Sequence, residues 1–353
     1  MSICIDARMI NHSGIGTYIR SLLTTMQQDM DITAILPEGF YEEEYRNLKS
    51  ISSKASIYSV YEQIDIYSKL IKTKNSFFHV PHYNIPLLFR GRMFVTVHDL
   101  IHLKFPQLLP NKAALIYSKF MLNQIGNKAE KIIAVSQNTK NDLMDILNIP
   151  EDKIYVIYNG LTKNRAYNID NVTVVKTLKR HGITKKYLLY VGNVRPHKNI
   201  DRLLEAFNIV HSKINDIELV ITGAVKGDFR NKSQKDIILT GFVSDEDLYC
   251  LYNNAEAFVF PSLYEGFGFP PLEAMQHGIP VVCSNSSSLP EIVGDAALMF
   301  DPYEAEDISD KIVKVLTDTS LSAILKNRGI EQVKKFSLGQ FQRNMTDLYK
   351  SMI

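Results

Sequence analysis

The sequence predicts an α/β protein built from two doubly wound domains with parallel sheets. Three observations carry this. Short apolar runs alternate with longer amphipathic stretches along the whole chain. Most runs are continuously apolar rather than alternating, the pattern of strands covered by helices on both faces. The patterning weakens between Gly160 and Lys186, leaving a similar half on either side.

In the first half the runs Ile3–Asp6, Ile32–Leu36, Phe77–Val80, Met93–Val97, Ile132–Val135 and Ile154–Ile157 read as strands. In the second half the strands are Tyr187–Val191, Leu219–Thr222, Ile237–Leu239, Ala257–Phe260, Pro280–Cys283 and Leu298–Phe300. Helices fill the intervals. Ser136 is placed to cap Gln137–Leu147 and Ser244 to cap Asp245–Asn253, with Asp245 and Asp247 read as capping residues. Pro270 and Pro271 stand where a helix begins. Strand, turn and helix repeated this often mean parallel sheets.

The weak stretch holds Lys163, Asn164, Arg165 and Asn168, and the boundary is placed there. This gives a first domain at 1–165 and a second at 166–335, facing one another across a central cleft. Residues 336–353 form an amphipathic helix expected to cross back to the first domain.

A chain of 353 residues is long enough for two cores, and 45% hydrophobic residues is ordinary globular composition. A net charge of +2 is far from the footprint of a nucleic-acid binder. Between Phe89 and Lys128, however, six basic residues (Arg90, Arg92, Lys104, Lys112, Lys119, Lys128) face one acidic residue, Asp99. This stretch reads either as a solvated face or as a surface for anionic lipid or a phosphate-bearing acceptor. Three cysteines without C-x-x-C spacing argue against a disulfide framework or a zinc site and fit a reducing cytoplasm. No secretory leader is read at the N-terminus and no run is long enough to span a membrane, so any membrane contact is expected to be peripheral.

Four motifs carry chemistry. Gly14-Ile15-Gly16 follows the first strand and opens a helix, where backbone N–H groups can meet an anion; a plain tight turn is the alternative. The dinucleotide fingerprint's third glycine is replaced by Ile19. His98 ends the strand Met93–Val97, beside Asp99. The loop Gly192–Asn199 leaves the strand Tyr187–Val191 with Arg195 and Lys198 three apart, a pair suited to a diphosphate. In Glu265-Gly266-Phe267-Gly268-Phe269-Pro270-Pro271-Leu272-Glu273, Glu265 lies in a loop and Glu273 in the first turn of the next helix. Ionised carboxylates accept from sugar and ribose hydroxyls, and the glycines leave N–H groups near a helix terminus.

That last stretch resembles the E-x7-E signature of the retaining glycosyltransferases of family 4, in the GT-B superfamily. Gly192–Asn199 looks like that family's donor-diphosphate loop, Gly241–Ser244 its base-binding segment, and Val156–Gly160 the end of its first domain. Val97-His98-Asp99 and the N-terminal G-x-G match too. The resemblance implies a GT-B fold of two Rossmann-like domains, the first binding acceptor and the second nucleotide-sugar. It implies that Arg195 and Lys198 neutralise the diphosphate, Glu265 places the sugar, and Glu273 accepts from the ribose. Asn193 lies in the diphosphate loop; Gly268 and Phe269 shape the pocket. Backbone groups near Phe242 and Val243 read the base. Gly14 and Gly16 lie near the donor phosphates, and His98 reaches the donor sugar.

The expected enzyme is therefore a hexosyltransferase that uses no metal and no resident cofactor, with two side chains replacing the divalent cation. By overall look the chain resembles bacterial mannosyl- and rhamnosyltransferases of surface-polysaccharide (lipopolysaccharide) synthesis. GDP-mannose is the first donor expected, ahead of UDP- and dTDP-sugars. A saccharide or polyprenyl-diphosphate-linked saccharide is the expected acceptor. The rival readings are a nucleotide-sugar epimerase, a phosphorylase, or a two-domain sugar-binding protein.

Overall fold

In the computed structural model the residues described are all except 1, 28, 74, 163–166, 168, 225–234 and 352–353. The chain divides into two compact units, Met1–Thr162 with Phe336–Ile353, and Lys163–Lys335. Part of the stretch in which the sequence places the boundary (163–166 and 168) lies outside the described residues.

Unit 1 contains strands β1 (Ser2–Asp6), β2 (Asp31–Pro37), β3 (Lys49–Ser53), β4 (Phe77–Val80), β5 (Met93–Val97), β6 (Lys131–Ala134) and β7 (Ile154–Val156). They form one sheet in the order β3-β2-β1-β4-β5-β6-β7, all pairings parallel. Its helices include α1 (Ile15–Met26), α2 (Val60–Leu70), α3 (Ile101–Lys104), α4 (Lys112–Lys128) and α5 (Gln137–Leu147). The continuous apolar runs are explained by the two faces. Along β1, Ile3 and Ile5 enter one core while Cys4 enters the other. Strand β3 was not expected from the sequence. It is an edge strand, largely exposed, and Lys-Ser-Ile-Ser-Ser has no apolar run to announce it.

Unit 2 contains β8 (Lys186–Val191), β9 (Ile217–Thr222), β10 (Ile237–Gly241), β11 (Ala257–Phe260), β12 (Val281–Ser284) and β13 (Ala297–Phe300). Their order is β10-β9-β8-β11-β12-β13, again all parallel. Its helices are α6 (Asn171–Arg180), α7 (Ile200–Lys213), α8 (Asp245–Asn254), α9 (Phe269–Gln276), α10 (Leu289–Val293), α11 (Ala305–Thr317) and α12 (Thr319–Val333). Helix α13 (Leu338–Lys350) belongs to unit 1, where Phe341, Met345, Leu348 and Tyr349 are buried in the same core as α1.

Local capping works as expected at α5, where Ser136 Oγ accepts from the Thr139 N–H at 3.0 Å. At α8 the cap is Ser244 Oγ, accepting from the Asp247 N–H at 3.1 Å. The Asp247 carboxylate is not a cap, contrary to expectation. It is taken by Arg180 and by His181 Nε2, the latter at 2.9 Å.

One polar chain crosses the core of unit 1. Tyr18 of α1 and His79 of β4 both hydrogen-bond Thr96 of β5 at 2.8 Å, and His79 Nδ1 meets the Tyr349 hydroxyl of α13 at 2.5 Å. Burial holds His79 down at about 3, and burial likewise holds His98, His197 and His277 at about 4, against 6.5 for a free imidazole. These rings are neutral in the fold and take up protons below 6.5 only on unfolding. Between pH 6.5 and 4 the unfolded chain binds more protons, so stability is expected to fall as pH drops through that window. The slope is at most about 1.4 kcal/mol per pH unit for each histidine. Thermal melts at neutral and acid pH check this; an unchanged melting temperature between pH 6.5 and 5 would contradict it.

Candidate functional site

In an open parallel sheet, ligands bind beyond the carboxyl ends of the strands where the winding reverses. In unit 2 that point lies between β8 and β11. The loops leaving these two strands carry Arg195–Lys198 and Glu265, and the fold brings them together.

A single 3₁₀ turn, Pro196–Lys198, follows β8, and Asn199 then adopts φ 58° before α7 begins. The Asn199 amide donates to the carbonyls of Pro261 (3.2 Å) and Pro302 (2.6 Å), tying the first loop to the second. The Leu263 N–H adds a bond to the His197 carbonyl at 2.8 Å. Across this seam Lys198 Nζ donates to Glu265 Oε1 at 2.6 Å, and it lies 5.3 Å from the centre of the Phe260 ring. Both side chains of the pair are more than four-fifths buried. Arg195 is exposed and has no ion pair among the described residues. The two cations expected to act alike therefore differ: one is held in place, the other projects into solvent. Asn193 does not face outward with its side chain; its Oδ1 accepts from the Ala224 N–H at 3.0 Å.

The Glu265 loop is held by residues that sequence reasoning missed. Ser287 Oγ accepts from the Glu265 N–H at 2.8 Å. Ser288 Oγ donates to the carbonyls of Glu265 (3.0 Å) and Phe267 (2.7 Å), and Ser286 Oγ to that of Leu263 (2.6 Å). The signal was the run Ser284-Asn285-Ser286-Ser287-Ser288 after β12, which reads as an ordinary polar loop. Tyr190 was missed as well. It sits fully buried in β8, stacked on Phe260, and its hydroxyl has no partner among the described residues. In sequence it is one more apolar strand residue.

One expectation about α9 needs correction. Its first residue is Phe269, so Glu273 lies beyond the first turn and does not complement the helix end. Pro270 and Pro271 then occupy the second and third helical positions, where neither has an N–H. The prolines stand at the start of the helix, as expected, and the helix end keeps its dipole with two fewer N–H donors. Gly268 is held at φ 121°, a conformation that favours glycine, and a Cβ there would stand 2.9 Å from Leu289 Cδ2. Glu273 accepts from the Tyr252 hydroxyl at 3.1 Å, and burial raises its pKa. At the end of β10, Gly241 turns the chain at φ 70° and leaves Phe242 79% exposed, with Val243 half-buried.

In unit 1, Gly14 is the N-cap of α1 at φ 64°. The Gly16 N–H, expected to face a phosphate, donates instead to the His12 carbonyl at 2.8 Å. A Cβ at Gly16 would stand 2.4 Å from the Ile10 carbonyl oxygen. The tight-turn alternative accounts for this glycine. His98 packs edge-on to Tyr18 at 5.0 Å, and its Nε2 lies 3.0 Å from the Pro81 carbonyl. A carbonyl only accepts, so Nε2 carries the proton of the neutral ring and Nδ1 the lone pair.

Residues 12–165 match glycosyltransferase family 4, and residues 175–332 match the glycosyl transferases group 1. O-antigen chain mannosyltransferase B of Escherichia coli is 33% identical over 292 residues, covering 78% of this chain and 74% of that protein. The chain belongs to the family 4 glycosyltransferases. O-antigen chain mannosyltransferase RfbU of Salmonella typhimurium is 27% identical over 338 residues, covering 88% of the chain and 90% of that protein. The serotype-specific mannosyltransferase WbdA of E. coli is 30% identical over 275 residues, but the chain matches only 33% of its length. Among solved structures, Anabaena HepE in complex with UDP and glucose superposes with TM-score 0.77 at 16% identity, covering 99% of this chain and all of that one. WaaG, a glycosyltransferase involved in lipopolysaccharide biosynthesis, gives 0.76 at 14% identity, with 99% of each chain covered. The fold is GT-B, as the resemblance implied, and this glycosyltransferase is an enzyme rather than a passive sugar-binding protein.

Proposed function

We propose that this glycosyltransferase moves a hexose, mannose first, from a nucleotide-sugar to a saccharide or polyprenyl-diphosphate-linked saccharide in surface-polysaccharide synthesis. The observation that carries the reading is the Lys198–Glu265 pair, held across the two loops at the winding reversal of unit 2. It sets a cation for the donor diphosphate beside an acceptor for the sugar hydroxyls. Arg195 adds an exposed second cation. Glu273 accepts from the ribose, Gly268 and Phe269 shape the pocket, and the exposed Phe242 ring with Val243 offers a surface for the base. The neutral His98 accepts from a sugar hydroxyl through Nδ1. The names of the mannosyltransferase relatives support mannose as the sugar, and GDP-mannose is the first donor to test.

The bond from the anomeric carbon to the donor phosphate oxygen breaks, and its electron pair leaves on the diphosphate. Lys198 and Arg195 lie where that charge grows, the position at which fixed charge lowers a barrier most. The acceptor oxygen bonds the anomeric carbon on the same face, and its proton passes to the departing phosphate. Configuration is retained, and no metal is required.

The test is thermal stability with GDP, UDP, dTDP and ADP, with EDTA present throughout. A ligand that binds only the folded protein raises its melting temperature. One nucleotide is expected to do so, and Lys198→Ala to remove most of the shift. The absence of any shift at millimolar nucleotide would overturn the donor site.

Action at the inner face of the membrane is part of the same reading. Two of the six basic residues of the 89–128 stretch are already engaged, Arg92 by Glu130 and Lys104 by Asp142. On α4, however, Lys112, Ile116 and Phe120 share a face at spacing four, and the latter two are exposed. Among the described residues no helix is long and apolar enough to cross a membrane. Vesicles containing anionic lipid should retain the protein at low salt; if they do not, the membrane contact is wrong. The three cysteines are buried and free, in keeping with a cytoplasmic setting.

A further inference from the structure

Glu273 is not free to turn. It lies on α9, and His277 closes that helix four residues on, so the two share a face. Tyr252 of α8 lies along this face. Its ring stacks on the His277 ring at 4.9 Å with 13° between the planes, and its hydroxyl donates to Glu273 Oε2 at 3.1 Å. Phe258 of β11 packs against the same tyrosine ring at 5.9 Å. Tyr249, one turn earlier on α8, backs His277 at 5.2 Å with its ring edge-on. Tyr252 itself is 2% exposed. Helix α8 begins at Asp245, shortly after Phe242 and Val243, so one element carries the surface offered to the base at its start and Tyr252 two turns on.

A buried phenol needs a hydrogen-bond partner, and a carboxylate supplies one. That need alone does not call for an open carboxylate, yet Glu273 is only half-buried. Its second oxygen, Oε1, has no hydrogen bond among the described residues. Burial, and then the charge of Glu273, hold the Tyr252 phenol well above its usual range, so it remains a donor. Burial raises the Glu273 carboxyl as well, and the Tyr252 hydroxyl works against that shift. The result is a carboxylate with one oxygen anchored and the other unclaimed. Ribose offers two adjacent hydroxyls that donate. A carboxylate already held in one rotamer loses less freedom on meeting them than one that turns.

We propose that Tyr252 is a positioning residue of the donor site, fixing the Glu273 carboxylate so that Oε1 accepts from the ribose, and that it thereby makes the enzyme select ribonucleotide donors over deoxyribonucleotide ones. The proposal rests on the donor reading above and adds to it the residue that enforces the ribose contact and the class of donor admitted. GDP- and UDP-sugars fit. The dTDP-sugars, which lack the 2′-hydroxyl, are disfavoured. A site built to accept from a hydroxyl rejects the analogue without it, because its acceptor is then left unpaired away from water. Tyr252 acts only through Glu273 in this account, and His277 aims its ring.

The test is calorimetric binding of GDP, UDP and ADP to the full chain, each beside its 2′,3′-dideoxy counterpart, with dTDP as a further ligand. The native protein should bind one ribonucleotide at least about tenfold more tightly than its dideoxy form, the loss expected for hydrogen bonds to a charged acceptor. Tyr252→Phe keeps the ring and its stack. In it the ribonucleotide should weaken about fivefold while the dideoxy form changes by less than about twofold. A tyrosine with a structural role alone would move both alike or neither, and either result overturns the proposal. So does dTDP binding more tightly than every ribonucleotide. Should Tyr252→Phe not fold, His277→Ala decides. It removes the stack that aims the hydroxyl, from a half-exposed position at the end of α9. It should lower the ribonucleotide preference about threefold, and an unchanged preference overturns the proposal. Native protein that binds ribonucleotide and dideoxynucleotide equally, at a site Lys198→Ala abolishes, defeats this inference and leaves the donor site standing. Binding of no nucleotide at all defeats both.

Discussion

Lys198→Ala is expected to lower kcat by about 10²- to 10³-fold, the loss typical of removing one fixed charge-stabilising group from an active site. Two effects add. The ammonium no longer meets the charge that grows on the leaving diphosphate. The Glu265 carboxylate, deprived of its 2.6 Å partner and more than four-fifths buried, then stands as an uncompensated negative charge beside the same phosphates. The second effect predicts a coupling. In Lys198→Ala/Glu265→Gln the added loss should be smaller than the sum of the single losses, because the repulsion has gone. Lys198→Arg keeps the charge but changes its geometry, and should fall between. The exposed Arg195, with no such partner among the described residues, should cost less when replaced by alanine. Steady-state kinetics on these variants decide the matter. If Lys198→Ala and Arg195→Ala both turn over at the native rate, charge stabilisation by this loop is wrong.

Ending the chain at Ser337 is expected to unfold unit 1. Helix α13 contributes Phe341, Met345, Leu348 and Tyr349 to the core shared with α1, none more than 5% exposed. Losing one buried phenylalanine costs about 3–5 kcal/mol, and a domain holds only about 5–15 in all. The deletion also strips His79 of its bond to Tyr349, and removes Leu338 and Phe341 from above Gly160, where a Cβ would find them at 2.9–3.0 Å. The sheet of unit 1 would then expose its α1 face. Limited proteolysis should cut residues 1–162 while 175–332 resist. Cooperative melting of unit 1 in the truncated protein would show the helix to be dispensable. Phe341→Ala should give a milder form of the same loss.

The sequence by itself determined what is local. Strands Phe77–Val80, Met93–Val97 and Ala257–Phe260 were legible because each is a continuous buried run, and in the first two successive residues feed opposite cores. Helices α5 and α8 were legible from Ser136 and Ser244, because a cap is a contact made within three residues. Arg195, Lys198, Glu265 and Glu273 could be picked out as types of residue suited to a nucleotide-sugar. The rest depended on contacts distant in sequence. Strand β3 is a strand only because β2 pairs with it. Lys198 and Glu265 lie 67 residues apart and meet because β8 and β11 are neighbours at the reversal of winding. The serines that hold Glu265 come from beyond a further strand. Gly16 carried the right residue for an anion, yet its N–H is closed off by the His12 carbonyl in a turn no spacing announces. Tyr252 gave no signal at all, since only the fold sets its ring on His277 and its hydroxyl on Glu273. Period and capping are written into neighbouring residues; the environment of a charge is not, because burial and pairing depend on which distant groups the sheet order sets beside it.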